Sequence, residues 1–275
     1  MKKLRYIEIA VIVALLCLVF KPVYGALVYR FTMQDSYYSH GFLIPLISGY
    51  LVFKKRDVLR TTEPGSGKAG LIILAAGLIM HVIGVLLTLR VASYFAIPIS
   101  IFGIVLYLGG AKFAKELAFP IAFLVFMLPL PKVLIVGTSF KMKIFAAQAS
   151  VFAARSIGIA ATRAGSTIYY PGGEMVVGDP CSGLSSLISF LALGALFTQI
   201  TTASFWKRNV LFASAIPVAL FSNLLRLTFL ILVGFVYGQN FTHGWVHDFA
   251  GIMVFVVGFI CMFSITKILR CRMTL

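Results

Sequence analysis

The sequence predicts an all-α polytopic membrane protein with about eight transmembrane helices. Hydrophobic residues make up 60% of its 275 positions, above the ~45–50% that is typical of a soluble domain. Charged residues make up only 12%, and they cluster between the apolar runs. We therefore expect a single transmembrane domain over residues 1–275.

Each predicted span is a mostly apolar run, judged against the ~20 residues that a helix needs to cross a bilayer. The second run is short, and the third and fourth meet at Arg90 with almost no loop between them. The predicted spans are residues 7–29, 42–53, 70–89, 91–109, 113–130, 182–200, 210–237 and 245–269.

Two further features separate the fifth and sixth predicted spans. Residues 132–163 mix several lysines and arginines with apolar residues, which favours an amphipathic segment lying on the lipid headgroups. In residues 166–177, two β-prone runs flank a Pro-Gly-Gly turn, which predicts a short β-hairpin before the sixth span. Such a hairpin could hold an extended peptide by strand addition.

The net charge of +16 is evidence first about how the chain is oriented in the membrane. Most Lys and Arg clusters fall on one side of the predicted spans, which puts the N-terminus inside and predicts contact with anionic membrane lipids. No nucleic-acid-binding motif accompanies this charge, so we expect no nucleic-acid partner. In this orientation the sixth and eighth spans start outside.

Cys181 stands in a loop-like stretch directly before the sixth predicted span. Asp179 and Pro180 are typical of helix starts, and the Ser182 hydroxyl can pair with a free backbone N–H. The positive end of the helix dipole favours thiolate, which is the reactive form of cysteine. The alternative is that Cys181 is only a small apolar residue. The four cysteines are scattered and form neither a disulfide framework nor a metal site.

Arg226 lies inside the seventh predicted span, where an arginine costs about 3 kcal/mol or more. It should face the protein interior or water and should have a partner there. Asn223 lies one helical turn earlier on the same face. The alternative is a structural arginine that carbonyl groups or a carboxylate satisfy.

His247 begins the eighth predicted span. It shares a helix face with Gly251 and Phe255, because the three recur every four residues. Gly251 would let another helix approach closely. His247 could instead be a polar anchor at the membrane interface. His243 is an alternative proton-transfer group, because its imidazole would be equally accessible to water.

The predicted topology brings Cys181, Arg226 and His247 to the outer leaflet. A nucleophile, a proton-transfer group and a fixed cation suit acyl transfer through a thioester. Two other functions stay open. Arg226 and His247 could bind phosphate in a lipid-phosphate or glycolipid-processing enzyme. Arg226 could also be the substrate counter-ion of a transporter or export component.

Three motifs resemble, in order, the signature sites of the exosortase/archaeosortase family of integral-membrane cysteine transpeptidases. They are Cys-Ser-Gly-Leu at Cys181, Asn-x-x-Arg at Arg226 and His-x-x-x-Gly-x-x-x-Phe at His247. A fourth similar stretch begins near His40 and ends in a Lys-Lys-Arg cluster. The resemblance covers essentially the whole chain. Ser185 departs from it, because a basic residue is frequent there in relatives.

The resemblance implies that Cys181 attacks the scissile carbonyl, His247 manages protons and Arg226 stabilises the oxyanion, with no cofactor. The implied substrates are C-terminal sorting-signal tails of secreted proteins, each a short motif, a membrane helix and a basic cluster of the PEP-CTERM type. Cleavage would occur on the outer face of the inner membrane, with a link to exopolysaccharide export machinery. The supporting or substrate-binding candidates are Asn223, Ser182, Gly183, His40, His243 and Gly251.

Overall fold

The computed structural model describes residues 2–33, 36–62, 65, 67–242 and 244–273, with side chains described within residues 10–272 of these ranges. The candidate His243 therefore lies outside the described residues. The helices are α1 (Lys2–Val19), α2 (Lys21–Thr32), α3 (Leu43–Lys54), α4 (Arg56–Thr61), α5 (Lys68–Leu86), α6 (Arg90–Phe123), α7 (Lys132–Ser156), α8 (Leu184–Ile200), α9 (Phe205–Ala213), α10 (Ala215–Tyr237) and α11 (Trp245–Ile268). The strands are β1 (Thr162–Ala164), β2 (Thr167–Tyr170), β3 (Gly173–Val176), β4 (Thr201–Thr202) and β5 (Arg272–Met273).

Internal contacts divide the chain into two compact units, Met1–Pro131 and Lys132–Leu275. In the first unit, α5 packs on α6 along Gly70, Gly77 and Gly84. A Cβ atom on any of these glycines would overlap atoms of α6, so the two helices lie backbone to backbone.

The predicted number of about eight transmembrane helices is not confirmed. Within the described residues, four helical stretches are long and apolar enough to cross a membrane. The number rises to five if the bent pair Ala10–Val19 and Lys21–Thr32 is one span. The four stretches are Lys68–Leu86, Arg90–Met127, Phe205–Tyr237 and Trp245–Ile268.

Helix length explains the lower number. The helix α3 has 12 residues and α8 has 17. At 1.5 Å per residue they reach about 18 Å and about 26 Å, short of a ~30 Å hydrocarbon core. The fourth predicted span and most of the fifth fall within Arg90–Met127, which is interrupted where Gly110 adopts a non-helical backbone (φ 80°, ψ 179°). The predicted ends of these runs lie close to the observed helix ends, so the difference lies in which segments are long enough to count as separate spans.

The predicted β-hairpin before a sixth span is also wrong. The strands β1, β2 and β3 form a three-stranded antiparallel sheet in that order, and the helix that follows, α8, is below span length. In β2, Ile168 and Tyr170 are buried while Tyr169 between them is exposed, which is the alternation expected of a strand with one covered face. The sheet therefore packs through one face, and β3 is an edge strand.

The helix α7 covers most of the predicted amphipathic segment. Small residues such as Ala147 and Ala154 are buried on this helix, whereas the large apolar side chains of Phe140 and Phe152 are exposed. The exposed part of α7 therefore carries large apolar side chains as well as basic ones such as Lys141. The position of this segment on the lipid headgroups stays a prediction, and its small buried residues allow close packing inside the second unit.

One buried cluster joins the sheet to the loop that carries Cys181. It includes Ala147 of α7, Ile168 and Tyr170 of β2, Cys181, and Leu227 of α10. A second cluster joins α8, α10 and α11, and the ring of Phe190 occupies the space where Gly258 lacks a side chain. The first cluster packs α10 against the segment that precedes α8, and the second packs α8 against α10 and α11.

Candidate active site

The 178–183 loop is a compact turn, and Cys181 lies three residues before α8 begins at Leu184. The Cys181 N–H donates to the Gly178 carbonyl at 3.2 Å. The Ser182 hydroxyl donates to the Asp179 carbonyl at 2.7 Å and accepts from the Leu184 N–H at 3.2 Å. Ser182 thus pairs with a free backbone donor at the start of the helix, as its sequence position predicts.

Gly183 is the residue from which α8 starts, and it has a left-handed backbone with φ 83° and ψ −2°. A Cβ atom here would lie 2.9 Å from Asn223 Nδ2. Any other residue at this position would therefore have a strained backbone and would also clash with Asn223. Gly183 therefore turns the chain sharply out of the loop and lets Asn223 reach the backbone behind it.

The helix α10 holds the loop through two side chains on one face. Asn223 Nδ2 donates to the Cys181 carbonyl at 3.1 Å, and Arg226 Nη1 donates to the Pro180 carbonyl at 3.2 Å. The two donors are three residues apart, one helical turn, and they pair with two successive carbonyl groups. Arg226 is buried, as expected for an arginine that faces the protein interior.

The side chains of Cys181, Arg226 and His247 meet at one nitrogen atom. Cys181 Sγ lies 3.3 Å from His247 Nε2, and Arg226 Nη2 lies 3.0 Å from the same Nε2. Because a guanidinium group can only donate, the contact with Arg226 makes Nε2 an acceptor and leaves the imidazole proton on Nδ1. The thiol and the guanidinium therefore share the lone pair of one imidazole nitrogen.

The other imidazole nitrogen faces Asp248. His247 Nδ1 lies 3.6 Å from Asp248 Oδ1, beyond hydrogen-bonding distance, and the Asp248 side chain is 83% exposed. A carboxylate that orients a catalytic histidine is usually buried and hydrogen-bonded to it. Asp248 does not have this relationship to His247, so the arrangement is a cysteine–histidine pair with an adjoining arginine.

Gly251 and His40 are two further candidates from the sequence. A Cβ atom on Gly251 would be 3.9 Å from Arg226 Nη2, an ordinary contact, so Gly251 faces the guanidinium. His40 belongs to the first unit, where its Nε2 lies 3.3 Å from the Phe126 carbonyl oxygen. Burial lowers the pKa of His40 from its ordinary value.

Sequence reasoning did not assign the contacts between α7 and the loop. Lys143 Nζ lies 2.7 Å from Asp179 Oδ1, and the Ser139 hydroxyl donates to the same oxygen at 3.0 Å. The sequence does contain a signal for this contact. The chain has 24 basic residues and only 8 acidic ones, and one of the acids, Asp179, lies two residues before Cys181. Such an acid in a basic, apolar protein should have a cation beside it.

Within the part of the chain that the structure describes, no group of three or more His, Cys, Asp or Glu side chains could hold a metal ion. The side chains of the site provide a sulfur nucleophile, an imidazole that can exchange a proton with it, and a cation beside both.

The fold and the site define an integral membrane protein in which cysteine, histidine and arginine side chains from an interhelical loop and two apolar helices form one polar cluster. The family model of the transmembrane exosortases matches residues 32–264, which include all three of these residues. The chain belongs to the transmembrane exosortase family. No curated protein and no solved structure matches it.

Proposed function

We propose that this protein is a membrane-embedded cysteine protease or transpeptidase that cleaves C-terminal sorting signals through a thioester on Cys181. The observation that carries the proposal is that Cys181 Sγ and Arg226 Nη2 both lie within 3.3 Å of His247 Nε2. A nucleophile, a base and a cation in mutual contact are the components of acyl transfer. Membership of the exosortase family supports the same chemistry.

In the first step, the thiol proton of Cys181 moves to His247 Nε2 while Sγ bonds to the carbonyl carbon of the scissile peptide. The carbonyl π electrons move to oxygen and give a tetrahedral oxyanion. Once Nε2 is protonated, it no longer accepts from Arg226, and that guanidinium N–H turns to the oxyanion. Arg226 thus stabilises the negative charge as it forms.

In the second step, the tetrahedral intermediate collapses and the C–N bond breaks. His247 gives its proton to the leaving amine, which departs with the membrane tail. The released protein remains on Cys181 as a thioester. Water or an amine then attacks the thioester carbonyl while His247 accepts its proton. The C–S bond breaks, and His247 returns the proton to the sulfur to regenerate the thiol.

The substrates in this proposal are secreted proteins that end in a short motif, a membrane helix and a basic tail. The second unit exposes large apolar side chains, including Phe140, Phe152 and Phe255, so a tail helix and membrane lipids would meet a compatible surface. Cleavage takes place at the periplasmic face of the cell inner membrane. A functional link to exopolysaccharide export machinery is part of the proposal.

The test is the processing of a reporter protein fused to a tail of this type from the same genome. We expect Cys181→Ala to abolish cleavage while the protein stays in the membrane at its normal level. Cys261→Ala removes a thiol of α11 outside the site and is the matched control, expected to cleave normally. Normal processing by Cys181→Ala would rule out the thioester mechanism.

The same variants separate the other two functions. A lipid-phosphate phosphatase would tolerate Cys181→Ser and would fail with Arg226→Ala, because its phosphate site needs the guanidinium and not the thiol. A transporter would show substrate flux that survives blockade of its thiols.

A further inference from the structure

We propose that Lys143 of α7 is a positioning residue for the reaction, because its ion pair with Asp179 holds the 178–183 loop in register with His247. Lys143 Nζ lies 2.7 Å from Asp179 Oδ1, and the buried Ser139 donates to the same oxygen at 3.0 Å. Asp179 is two residues before Cys181 in this loop. As a statement about catalysis, this inference rests on the proposed function.

The two α7 residues act from one helix face. Ser139 and Lys143 are four residues apart, so their side chains project in the same direction and reach one carboxylate oxygen together. The hydroxyl supplies a short, rigid donor and the ammonium supplies a charge. Among the basic residues of α7, Lys143 therefore binds a carboxylate within the protein, which is distinct from contact with lipid headgroups.

The loop is consequently held from two sides. Asn223 and Arg226 of α10 bind its carbonyl groups at residues 181 and 180, and α7 binds its carboxylate at residue 179. The contacts of α10 fix the backbone behind the thiol. The contact of α7 fixes the preceding residue, and so resists rotation of the loop about the α10 contacts.

The ion pair is too exposed to contribute much to the global stability of the fold. The side chain of Lys143 is 22% exposed and that of Asp179 is 56% exposed, and pairs open to water contribute little to folding. A shift of about 1 Å between reacting atoms, however, can cost about 100-fold in rate. We therefore expect the pair to act on kcat much more than on KM or Tm.

The experiment compares Lys143→Met, Asp179→Asn and the charge-swapped double variant Lys143→Asp/Asp179→Lys with Lys141→Met. The last removes the same charge from an exposed position of the same helix and is the matched control. Two readouts are used on the full-length protein in detergent. One is kcat and KM for tail cleavage, and the other is the rate of alkylation of Cys181 by iodoacetamide, measured by mass spectrometry of its peptide.

A positioning role predicts that both single variants lower kcat by roughly 10- to 100-fold and slow Cys181 alkylation, while Lys141→Met changes neither. The charge-swapped variant should recover most of both losses. A direct effect of charge on the thiolate would instead move the two single variants in opposite directions, because one removes a cation and the other an anion.

Opposite shifts of the two single variants, or values equal to those of Lys141→Met, would overturn the inference. Failure of the charge-swapped variant to recover, together with a fall in its Tm, would also overturn it in favour of a structural role. The alkylation readout needs no substrate. If Cys181→Ala still cleaves tails, the proposed function fails, while the alkylation rates still decide whether Lys143 positions the loop.

Discussion

Cys181 and His247, which are 66 residues apart in the chain, are brought within 3.3 Å of each other, sulfur to Nε2. The thiol lies in the loop before α8, and the imidazole lies in the first turn of α11. Arg226 of α10 lies 3.0 Å from the same imidazole nitrogen. The proposed reaction depends on this shared contact, and each member of the cluster can be tested separately.

His247→Ala should lower the rate of tail cleavage by about 10²–10⁴-fold, the usual contribution of a general base. Added imidazole should restore part of the rate, because it can occupy the space that the side chain leaves. Asp248→Asn is the control, since the Asp248 carboxylate is exposed and 3.6 Å from Nδ1. We expect it to cost less than about tenfold. The measurement is the initial rate at saturating substrate, and equal losses in the two variants would contradict the assigned roles.

Arg226→Lys should also be severely impaired, although it keeps the positive charge. The guanidinium uses separate nitrogen atoms for the Pro180 carbonyl and for His247, and a single ammonium group cannot reproduce that geometry. We expect a loss of about 10²–10³-fold in kcat. Arg208→Lys, the same change on α9, is the control. A near-normal kcat for Arg226→Lys would mean that only charge matters at this position.

The identities of the cluster residues could be predicted, but not all of their contacts. Arg226 is conspicuous because a charge inside an apolar run must have a polar partner, and the sequence identifies that position without a structure. The ion pair between Lys143 and Asp179 depends on how α7 packs on the loop, which no local pattern encodes. The catalytic roles of Cys181 and His247 stay predictions.

Gly183→Ala should slow cleavage by more than tenfold. The left-handed backbone costs an alanine roughly 1 kcal/mol, and the new Cβ would also press on Asn223, which holds the Cys181 carbonyl. Gly158→Ala is the matched control, because Gly158 has a similar φ of 89° but nothing within 4 Å of the added Cβ. Both variants should lose some Tm, and only Gly183→Ala should lose activity. Comparable activity in the two would show that displacement of Asn223 has no effect on the site.

The helical, membrane-embedded character of the protein follows from composition, whereas the number of spans does not. A count of apolar runs includes α3 and α8, although these helices have only 12 and 17 residues and are below span length. The third strand was missed for a different reason. Thr162–Ala164 is short, and it becomes a strand only because it pairs with Thr167–Tyr170.

The orientation of the second unit can be tested by labelling single cysteines in spheroplasts with an impermeant maleimide. Trp245 and Ile268 lie at the two ends of α11, a helix long and apolar enough to cross a membrane, and they are 75% and 77% exposed. If the site faces the periplasm, Trp245→Cys should be labelled in intact spheroplasts and Ile268→Cys only after lysis. The background variant has the native cysteines replaced by serine. The reverse pattern would put the 178–183 loop in the cytoplasm.

The most direct test of the Cys181 thioester is to isolate it. The protein is mixed with a tailed reporter and the mixture is quenched in acid. The mass of the peptide that contains Cys181 is then measured by mass spectrometry. We expect a covalent adduct of the reporter fragment on Cys181 that neutral hydroxylamine releases as a hydroxamate, and no adduct in Cys181→Ala. Cleavage of the tail by Cys181→Ala, or hydroxylamine-insensitive cleavage with no adduct on Cys181, would contradict the mechanism.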